Sequence, residues 1–245
     1  MTAGTVLILG ARSGMARAIA RRFAAEGHPL QLAARDAAPL GADAADLALR
    51  HGISVTVHHF DALDVAAHEA FVDALPQLPD IAICAVGMIA DQARLQVSPS
   101  EAAAILRANF EGPALALGVL AERFAARGSG VIVGIGSVAG ERGRASNYVY
   151  GAAKAGFAAF LSGLRNRLAT KGVHVVTVLP GFVATAMTEG MDTPPRLTAQ
   201  PEEVAEAVLR AVRRKRDVIY VRRIWRPIML IIRALPEALF KRTRL

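Results

Sequence analysis

Four short runs that are almost wholly apolar recur along the chain, and each stops at or just before a glycine or a proline. They are TVLILG at 5–10, IAICAV at 81–86, GVIVGIG at 130–136 and VHVVTVL at 173–179. A strand that helices cover on both faces of a parallel sheet has this continuous apolar pattern, whereas a half-exposed strand alternates. The runs therefore predict the buried middle of a parallel sheet.

The segments between these runs have the spacing of amphipathic helices. Further strands are predicted at 30–34, 54–60 and 217–221, and helices at 14–26, 38–50, 66–75, 98–127, 148–170 and 201–213, with a break in the fourth helix near Gly112 and Pro113. This alternation predicts an α/β fold, a Rossmann-type doubly wound parallel sheet. A chain of 245 residues suits one such domain, which we place at 1–221, followed by a basic amphipathic C-terminal extension at 222–245.

Residues that form disulfides or bind metals are sparse. Cys84 is the single cysteine, so no internal disulfide can form, and a reducing compartment is expected. The six histidines are scattered, which argues against a metal site. The N-terminus shows no basic start ahead of an apolar run, and no apolar run approaches the ~20 residues that span a bilayer. These features predict a cytoplasmic protein.

Positive charge is concentrated near the C-terminus. Twelve of the 29 lysines and arginines lie at 210–245, against two of the 21 acids. The apolar residues of this tail are Trp225, Ile228, Met229, Leu230, Ile231, Ile232, Leu235, Leu239 and Phe240, and the basic residues around them are Arg222, Arg223, Arg226, Arg233, Lys241, Arg242 and Arg244. Pro227 and Pro236 are expected to prevent one uninterrupted helix.

This composition predicts that the tail lies on an anionic membrane surface, at the inner face of the cell membrane. The alternative is that it packs in a subunit interface. Nucleic acid is not an expected partner, because one aromatic cluster is a poor stacking platform for bases.

The first predicted strand is followed by Gly10-Ala-Arg-Ser-Gly14-Met-Ala16. Glycine at 10 permits a tight turn, and glycine at 14 lets the backbone approach a pyrophosphate at the positive end of the next helix. Turns of this kind are common between strands and helices, so a purely structural role stays open at this point. The spacing Gly-x-x-x-Gly-x-Gly/Ala resembles that of the short-chain dehydrogenases/reductases.

A tyrosine and a lysine share one face of the fifth predicted helix. Because a helix turns about 100° per residue, Tyr150 and Lys154 lie within ~40° of each other, whereas Tyr148 points away. A neighbouring ammonium is expected to lower the pKa of the phenol and give an acid that protonates a carbonyl oxygen. Ser137 ends the fifth predicted strand and can hydrogen-bond the same oxygen.

The resemblance implies an NAD(P) cofactor, the residues that hold it, and two further roles. The cofactor residues are Gly10, Arg12, Ser13, Gly14, Met15, Arg35, Asp61, Ala62, Ala85, Gly87, Tyr150, Lys154, Pro180, Gly181, Val183 and Thr185. Asn109 would support a water linked to Lys154, and the alternative is a residue at a helix kink. Asp61 matches the residue that contacts adenine, and the alternative is a cap of the helix that follows.

Cofactor preference depends on the end of the second predicted strand. Where the family has an acid for the ribose 2′-hydroxyl of NAD, this chain has Ala34, followed by Arg35, and Arg12 lies in the glycine turn. Two guanidiniums with no carboxylate to repel a 2′-phosphate favour NADP(H), and NAD(H) is the alternative.

Three stretches resemble a narrower group within the family, the mycobacterial decaprenylphosphoryl-2-keto-β-D-erythro-pentose reductases. They are 60–64, 139–150 and 228–242. The similarity implies a ketoreductase that acts on a 2-keto sugar of a polyprenyl phosphate, a precursor of cell-wall arabinan, with a separate flavin-dependent oxidase as partner. The wider family implies a homo-oligomer. The alternatives are a 3-ketoacyl or sphingoid-base ketoreductase, and a non-catalytic dinucleotide-sensing protein.

Overall fold

The described part of the chain, residues 3–243 of the computed structural model, alternates strands with helices. The strands are β1 (Val6–Leu9), β2 (Leu30–Ala34), β3 (Val55–His59), β4 (Ile81–Cys84), β5 (Gly130–Ile135), β6 (Val173–Pro180), β7 (Phe182–Val183), β8 (Thr198–Ala199) and β9 (Val218–Val221). The α-helices are α1 (Gly14–Ala24), α2 (Leu40–His51), α3 (His68–Asp73), α4 (Gln92–Leu95), α5 (Pro99–Leu106), α6 (Gly112–Arg127), α7 (Tyr148–Leu168), α8 (Pro201–Arg213), α9 (Trp225–Ala234) and α10 (Glu237–Phe240). Tighter 3-10 turns lie at Val65–Ala67, Val138–Glu141 and Ala186–Thr188.

Seven of the strands form one parallel sheet in the order β3-β2-β1-β4-β5-β6-β9. The chain builds outward from β1 to β3, returns to the other side of β1 as β4, and then builds outward again. The order therefore reverses between β1 and β4, and in such sheets ligands bind in the crevice outside the carboxyl ends of the strands at that reversal. The predicted doubly wound fold is confirmed.

Helices cover both faces of this sheet. On one face, α1, α2 and α8 bury side chains such as Phe23 and Val208. On the other face, α6 and α7 bury Phe124, Phe157 and Leu161. Because apolar layers lie on both sides, the central strands have no polar face, which explains their unbroken apolar sequences.

Some of the helices begin where the sequence supplies a partner for the first free N–H groups. The hydroxyl of Ser13 accepts the N–H of Ala16 at the start of α1. The helix predicted at 201–213 is observed as Pro201–Arg213, since proline suits the first helical position and Gln200 and Glu203 form a capping box.

The helix predicted at 98–127 does not break at Gly112. Instead α5 passes through a π-helical turn at Arg107–Glu111 into α6, and Pro113 is the second residue of α6. By length and composition alone this continuous stretch is apolar enough to cross a bilayer, which corrects the expectation that no run approaches that length. Half of its most apolar window is buried against the sheet, as in a core helix.

The C-terminal segment packs against the carboxyl edge of the sheet. Trp225, Met229 and Ile232 of α9 form an apolar cluster with Val138 and Leu179. This face of α9 therefore contacts the chain segments that follow β5 and end β6.

The two prolines of the tail act differently. The tail is not one uninterrupted helix, as expected. Pro227 lies in the first turn of α9 and does not interrupt that helix, because the first-turn N–H groups have no partner within a helix. Pro236 separates α9 from α10, as expected. The outward side of α9 stays open, with Leu230 67% and Ile231 64% exposed.

Candidate active site

The turn from β1 into α1 requires glycine at its first position. Gly10 has a φ of +80°, in the left-handed region. A Cβ at this position would also lie 2.9 Å from the backbone nitrogen of Val86, at the end of β4. The turn therefore runs close to the reversal point of the sheet, and the N-terminus of α1 opens there. Free N–H groups at a helix N-terminus favour a phosphate.

A cavity of about 680 Å³ opens at the carboxyl edge beside this turn. Its volume lies within the range of about 300–1,000 Å³ that is typical of ligand pockets. Of the predicted cofactor residues, it is lined by Gly10, Arg12, Ser13, Arg35, Asp61, Ala62, Ala85 and Gly87. The other predicted residues, Gly14, Met15, Tyr150, Lys154, Pro180, Gly181, Val183 and Thr185, lie outside this lining. The left-handed glycine, the helix N-terminus and the cavity together fit a dinucleotide.

A carboxylate that sequence reasoning missed stands at the rim of the cavity. Asp36 accepts a hydrogen bond from Arg12 at 2.6 Å, and both residues line the cavity with Arg35. The expectation of two guanidiniums with no carboxylate is therefore wrong. The prediction depended on Ala34 in the place of the family's acid, although Asp36 follows Arg35 directly in the sequence. Arg35 forms no ion pair with any described residue.

Asp61 does not cap the helix that follows it. Its Oδ1 accepts the N–H of Leu63 at 2.9 Å and closes a local turn, whereas Asp64 occupies the cap position of the next 3-10 turn. Because Asp61 also lines the cavity, the predicted contact with adenine stays a prediction that this placement allows.

Ser137 occupies the junction between β5 and α7. Its hydroxyl oxygen accepts the N–H of Ala139 at 3.1 Å, and the hydroxyl also lies within hydrogen-bonding reach of Tyr150. The turn that follows is pressed against α7, since a Cβ on Gly140 would lie 2.7 Å from the backbone nitrogen of Ala155. This contact holds the serine beside the first turns of α7.

Tyr150 and Lys154 lie on the inner side of α7, whereas Tyr148 is 44% exposed. Lys154 is 4% exposed, and its Nζ donates to the carbonyl oxygen of Ile135 at 3.1 Å. The same Nζ lies 5.8 Å from the centroid of the Tyr150 ring. The helical spacing therefore brings the phenol and the amine together within the domain.

Burial governs the acidity of this pair. It raises the pKa of Tyr150 above its ordinary value, although a hydrogen bond with Ser137 acts in the opposite direction. It lowers the pKa of Lys154 to about 8, because an ammonium is poorly solvated there. The expected fall in the tyrosine pKa is therefore wrong for this chain. A phenol that keeps its proton at neutral pH still suits a proton donor.

Asn109 lies in the π-helical turn and is completely buried. Its Nδ2 donates to the carbonyl oxygens of Met88 and Ile105 at 2.8 and 3.0 Å, and its Oδ1 accepts the N–H of Met88 at 3.2 Å. A Cβ on Gly87 would lie 2.9 Å from this Oδ1 and 3.4 Å from Nζ of Lys154. Gly87 thus joins the cavity to the tyrosine–lysine pair. Both sequence readings of Asn109 fit its place, since it sits at a helix irregularity and beside the lysine.

The segment after β6 lies between the glycine turn and the tail. The Cβ position of Gly14 is 3.7 Å from Cγ2 of Thr185, so this segment reaches the start of α1. Gly181 lies directly against the indole of Trp225, which leaves no room for a side chain. The indole N–H donates to the carbonyl of Leu197 at 3.1 Å. No sequence pattern predicts this contact, because Trp225 lies far along the chain from both Gly181 and Leu197.

The chain belongs to the short-chain dehydrogenase family, whose model matches residues 4–195. It is therefore an NAD(P)-dependent oxidoreductase. Among its relatives, a protein of Mycobacterium tuberculosis named as an uncharacterized oxidoreductase is 40% identical over 243 residues, covering 98% of this chain and 97% of the relative. A 3-oxoacyl-[acyl-carrier-protein] reductase of Synechocystis is 30% identical over 226 residues, covering 85% of this chain and 88% of the relative.

Solved structures agree with this assignment. A short-chain dehydrogenase from Sphingobium yanoikuyae in complex with NADPH superposes with a TM-score of 0.81 at 30% identity, covering 96% of this chain and 97% of that one. None of these three names specifies a lipid-linked sugar, a flavin-dependent partner or a membrane. Those finer expectations stay predictions.

Proposed function

We propose that this protein is an NADPH-dependent ketoreductase in which Tyr150 donates the proton. The observation that carries the proposal is the position of Gly87 between the two parts of the site. It lines the cavity, and a Cβ on it would lie 2.9 Å from Oδ1 of Asn109 and 3.4 Å from Nζ of Lys154. A ligand in the cavity therefore ends beside the tyrosine–lysine pair. A non-catalytic dinucleotide sensor has no need for a buried amine beside a phenol.

In the proposed mechanism, four residues of the chain act together with the cofactor. A bound nicotinamide supplies a hydride to the carbonyl carbon. Tyr150 keeps its proton at neutral pH and passes it to the carbonyl oxygen, and the O–H of Ser137 donates to the same oxygen. Lys154 holds a positive charge near the developing phenolate and would also hold the ribose of a bound nicotinamide. Asn109 keeps the backbone around Met88 in place through three hydrogen bonds.

The preference for NADPH is proposed from Arg35. Its guanidinium forms no ion pair within the described residues and lies at the cavity rim, where a 2′-phosphate would meet it. Arg12 contributes less than its sequence position suggests, since Asp36 already engages it. The carboxylate of Asp36 also gives NADH a possible acceptor for its 2′-hydroxyl, so we expect a preference rather than exclusion.

For the substrate, we propose a ketone carried on a membrane lipid, such as a polyprenyl-phosphate-linked 2-keto-pentose. The support is the outward side of α9, where exposed Leu230 and Ile231 lie close in sequence to exposed Arg226 and Arg233. This arrangement suits contact with the inner face of an anionic membrane. The relative in Synechocystis named for 3-oxoacyl reduction favours a second candidate, a 3-ketoacyl ketoreductase.

The direct test uses NADPH with deuterium at the transferring C4 position. We expect wild-type protein to place deuterium on the carbinol carbon of a reduced ketone, and to do so less efficiently from labelled NADH. Arg35→Ala should raise the KM for NADPH about tenfold or more, because one charge-assisted hydrogen bond to the phosphate is lost, and should change the KM for NADH little. Absence of label in every product would refute the ketoreductase, and equal changes in both KM values would refute the role of Arg35.

A further inference from the structure

Asn147 stands at the N-cap of α7 and does not cap the helix. Asparagine is among the best N-cap residues, yet this side chain makes no hydrogen bond to the first turn. The N–H of Val149 is instead accepted at 3.1 Å by Oε1 of Gln92, a residue of α4 that is 8% exposed. The amide of Gln92 therefore caps α7 in place of Asn147, and the side chain of Asn147 is not used for capping.

The two amides each keep one buried polar atom without a partner. Oδ1 of Asn147 and Nε2 of Gln92 have no hydrogen-bond partner in the described structure, although both are shielded from solvent. Gln92 is anchored at Val149, and Oδ1 of Asn147 lies 3.9 Å from the Cβ position of Gly151. Both groups thus lie at the turn that holds Tyr150. Such unsatisfied atoms are costly in a folded protein and are commonly explained by a bound group.

Arg144 lies in the same loop as Asn147 and has a third buried polar atom without a partner. Its backbone carbonyl accepts the N–H of Asn147 at 3.1 Å, and its Nε is buried without a partner. The residue is half-buried and, within residues 3–243, forms no ion pair, whereas Arg142 nearby is paired with Glu237. Burial without a carboxylate lowers the pKa of Arg144, which marks an uncompensated positive charge. The loop follows β5 at the carboxyl edge, where ligands of such sheets bind.

We propose that Gln92, Arg144 and Asn147 form a recognition site for an oxygen-rich, anionic ketone. Gln92 and Arg144 donate to oxygens of the substrate, those of a phosphate or carboxylate included, and Asn147 accepts from a substrate hydroxyl. This inference rests on the proposed ketoreductase function and narrows its substrate class. A hydrocarbon ketone would leave all three side chains unpaired, so the site disfavours a purely apolar substrate.

The test compares two ketones with NADPH: dihydroxyacetone phosphate, which has a hydroxyl and a phosphate, and 3-pentanone, which has neither. Asn147→Ala should lower the ratio of kcat/KM for the first ketone to that for the second about tenfold, the loss expected for one buried hydrogen bond. Ser146→Ala, at the exposed neighbouring position, should keep the wild-type ratio. An equal fall on both ketones in Asn147→Ala would overturn the proposal.

The anionic half is tested separately with dihydroxyacetone, which lacks the phosphate. Arg144→Ala should remove the preference for dihydroxyacetone phosphate over dihydroxyacetone, and an unchanged preference would contradict the role of Arg144. Binding is also measured without turnover, as the shift in Tm that dihydroxyacetone phosphate causes. A shift in wild type that is reduced in Asn147→Ala, with no ketone reduced, would keep the recognition site and reject the ketoreductase. No shift in wild type would reject the recognition site.

The Tm distinguishes a structural role of Asn147 from a role in substrate recognition. Gln92→Ala removes the bond to Val149 and should lower the Tm, since a lost N-cap destabilises a helix. Asn147→Ala removes no such bond and should leave the Tm near that of wild type. A fall in Tm as large as that of Gln92→Ala would show that Asn147 supports the fold and would overturn its assignment to the substrate.

Discussion

At the scale of single residues, the decisive property is that Lys154 is buried with its amine facing a carbonyl. Its Nζ donates to Ile135 at 3.1 Å, and burial brings its pKa down to about 8 from an ordinary value near 10.5. The sequence predicted the proximity of amine and phenol correctly from helical spacing. It predicted the wrong direction for the tyrosine pKa, because spacing carries no information about how much solvent each group loses.

This pKa predicts how cofactor use depends on pH. The folded pKa of Lys154 is depressed, so the amine is charged below about pH 8 and loses its proton above it. We expect kcat/KM for NADPH, which reports the free enzyme, to fall as pH rises through about 8. In the Lys154→Arg variant the side chain stays charged throughout this pH range. The fall of kcat/KM with pH should therefore begin at a higher pH in this variant, even if its activity is lower. An identical limb in both proteins would show that another group titrates.

At the scale of elements, α9 has an inner side that packs on the domain and an outer side that is exposed. The sequence predicted the whole segment as an extension separate from the domain. Its inner residues pack beside Val138 and Leu179. Deletion of residues 222–245 would therefore expose the apolar residues next to Ser137 and disturb the active site itself. Its outer residues Leu230 and Ile231 are exposed and make no part of that cluster. Membrane contact therefore has to be tested by point substitutions on the outer side.

We expect the wild-type protein to sediment with vesicles that contain anionic phosphatidylglycerol, and less so with neutral vesicles or at high salt. The double variant Leu230→Ser and Ile231→Ser should weaken this binding at least about tenfold, because inserting a leucine or isoleucine contributes ~1.5–3 kcal/mol. Leu49→Ser changes a leucine on α2 that is 87% exposed, more than either α9 residue, and is the matched control. Sedimentation of the double variant at the wild-type level would reject the membrane proposal in favour of a subunit contact.

At the scale of the whole molecule, the apolar runs and the helical segments between them were sufficient to predict the α/β architecture. Seven strands were predicted within two residues of their observed ends, and the nearly unbroken apolar character of four of them indicated a sheet covered on both faces. The reversal between β1 and β4 then placed the glycine turn and Gly87 at one cavity. These features follow from local sequence, since the period of the pattern and the turn residues fix them.

The parts of the site that sequence reasoning missed depend on contacts between distant segments. Gln92 caps a helix that begins 56 residues further along the chain, and Trp225 reaches back to Leu197. Asp36 was missed because its role depends on the position of the Arg12 guanidinium, which donates to its carboxylate. No spacing rule gives such contacts, because they arise when helices and loops from different parts of the chain meet at the sheet edge.

The central claim is that Tyr150 donates the proton to a ketone beside the dinucleotide cleft. The most direct measurement is single-turnover oxidation of enzyme-bound NADPH by a ketone, in wild type, Tyr150→Phe and Tyr148→Phe. Removing the proton donor should slow Tyr150→Phe by about 10²-fold or more with NADPH affinity retained, whereas the exposed Tyr148 should be replaceable at the wild-type rate. Equal rates in Tyr150→Phe and wild type would contradict the account.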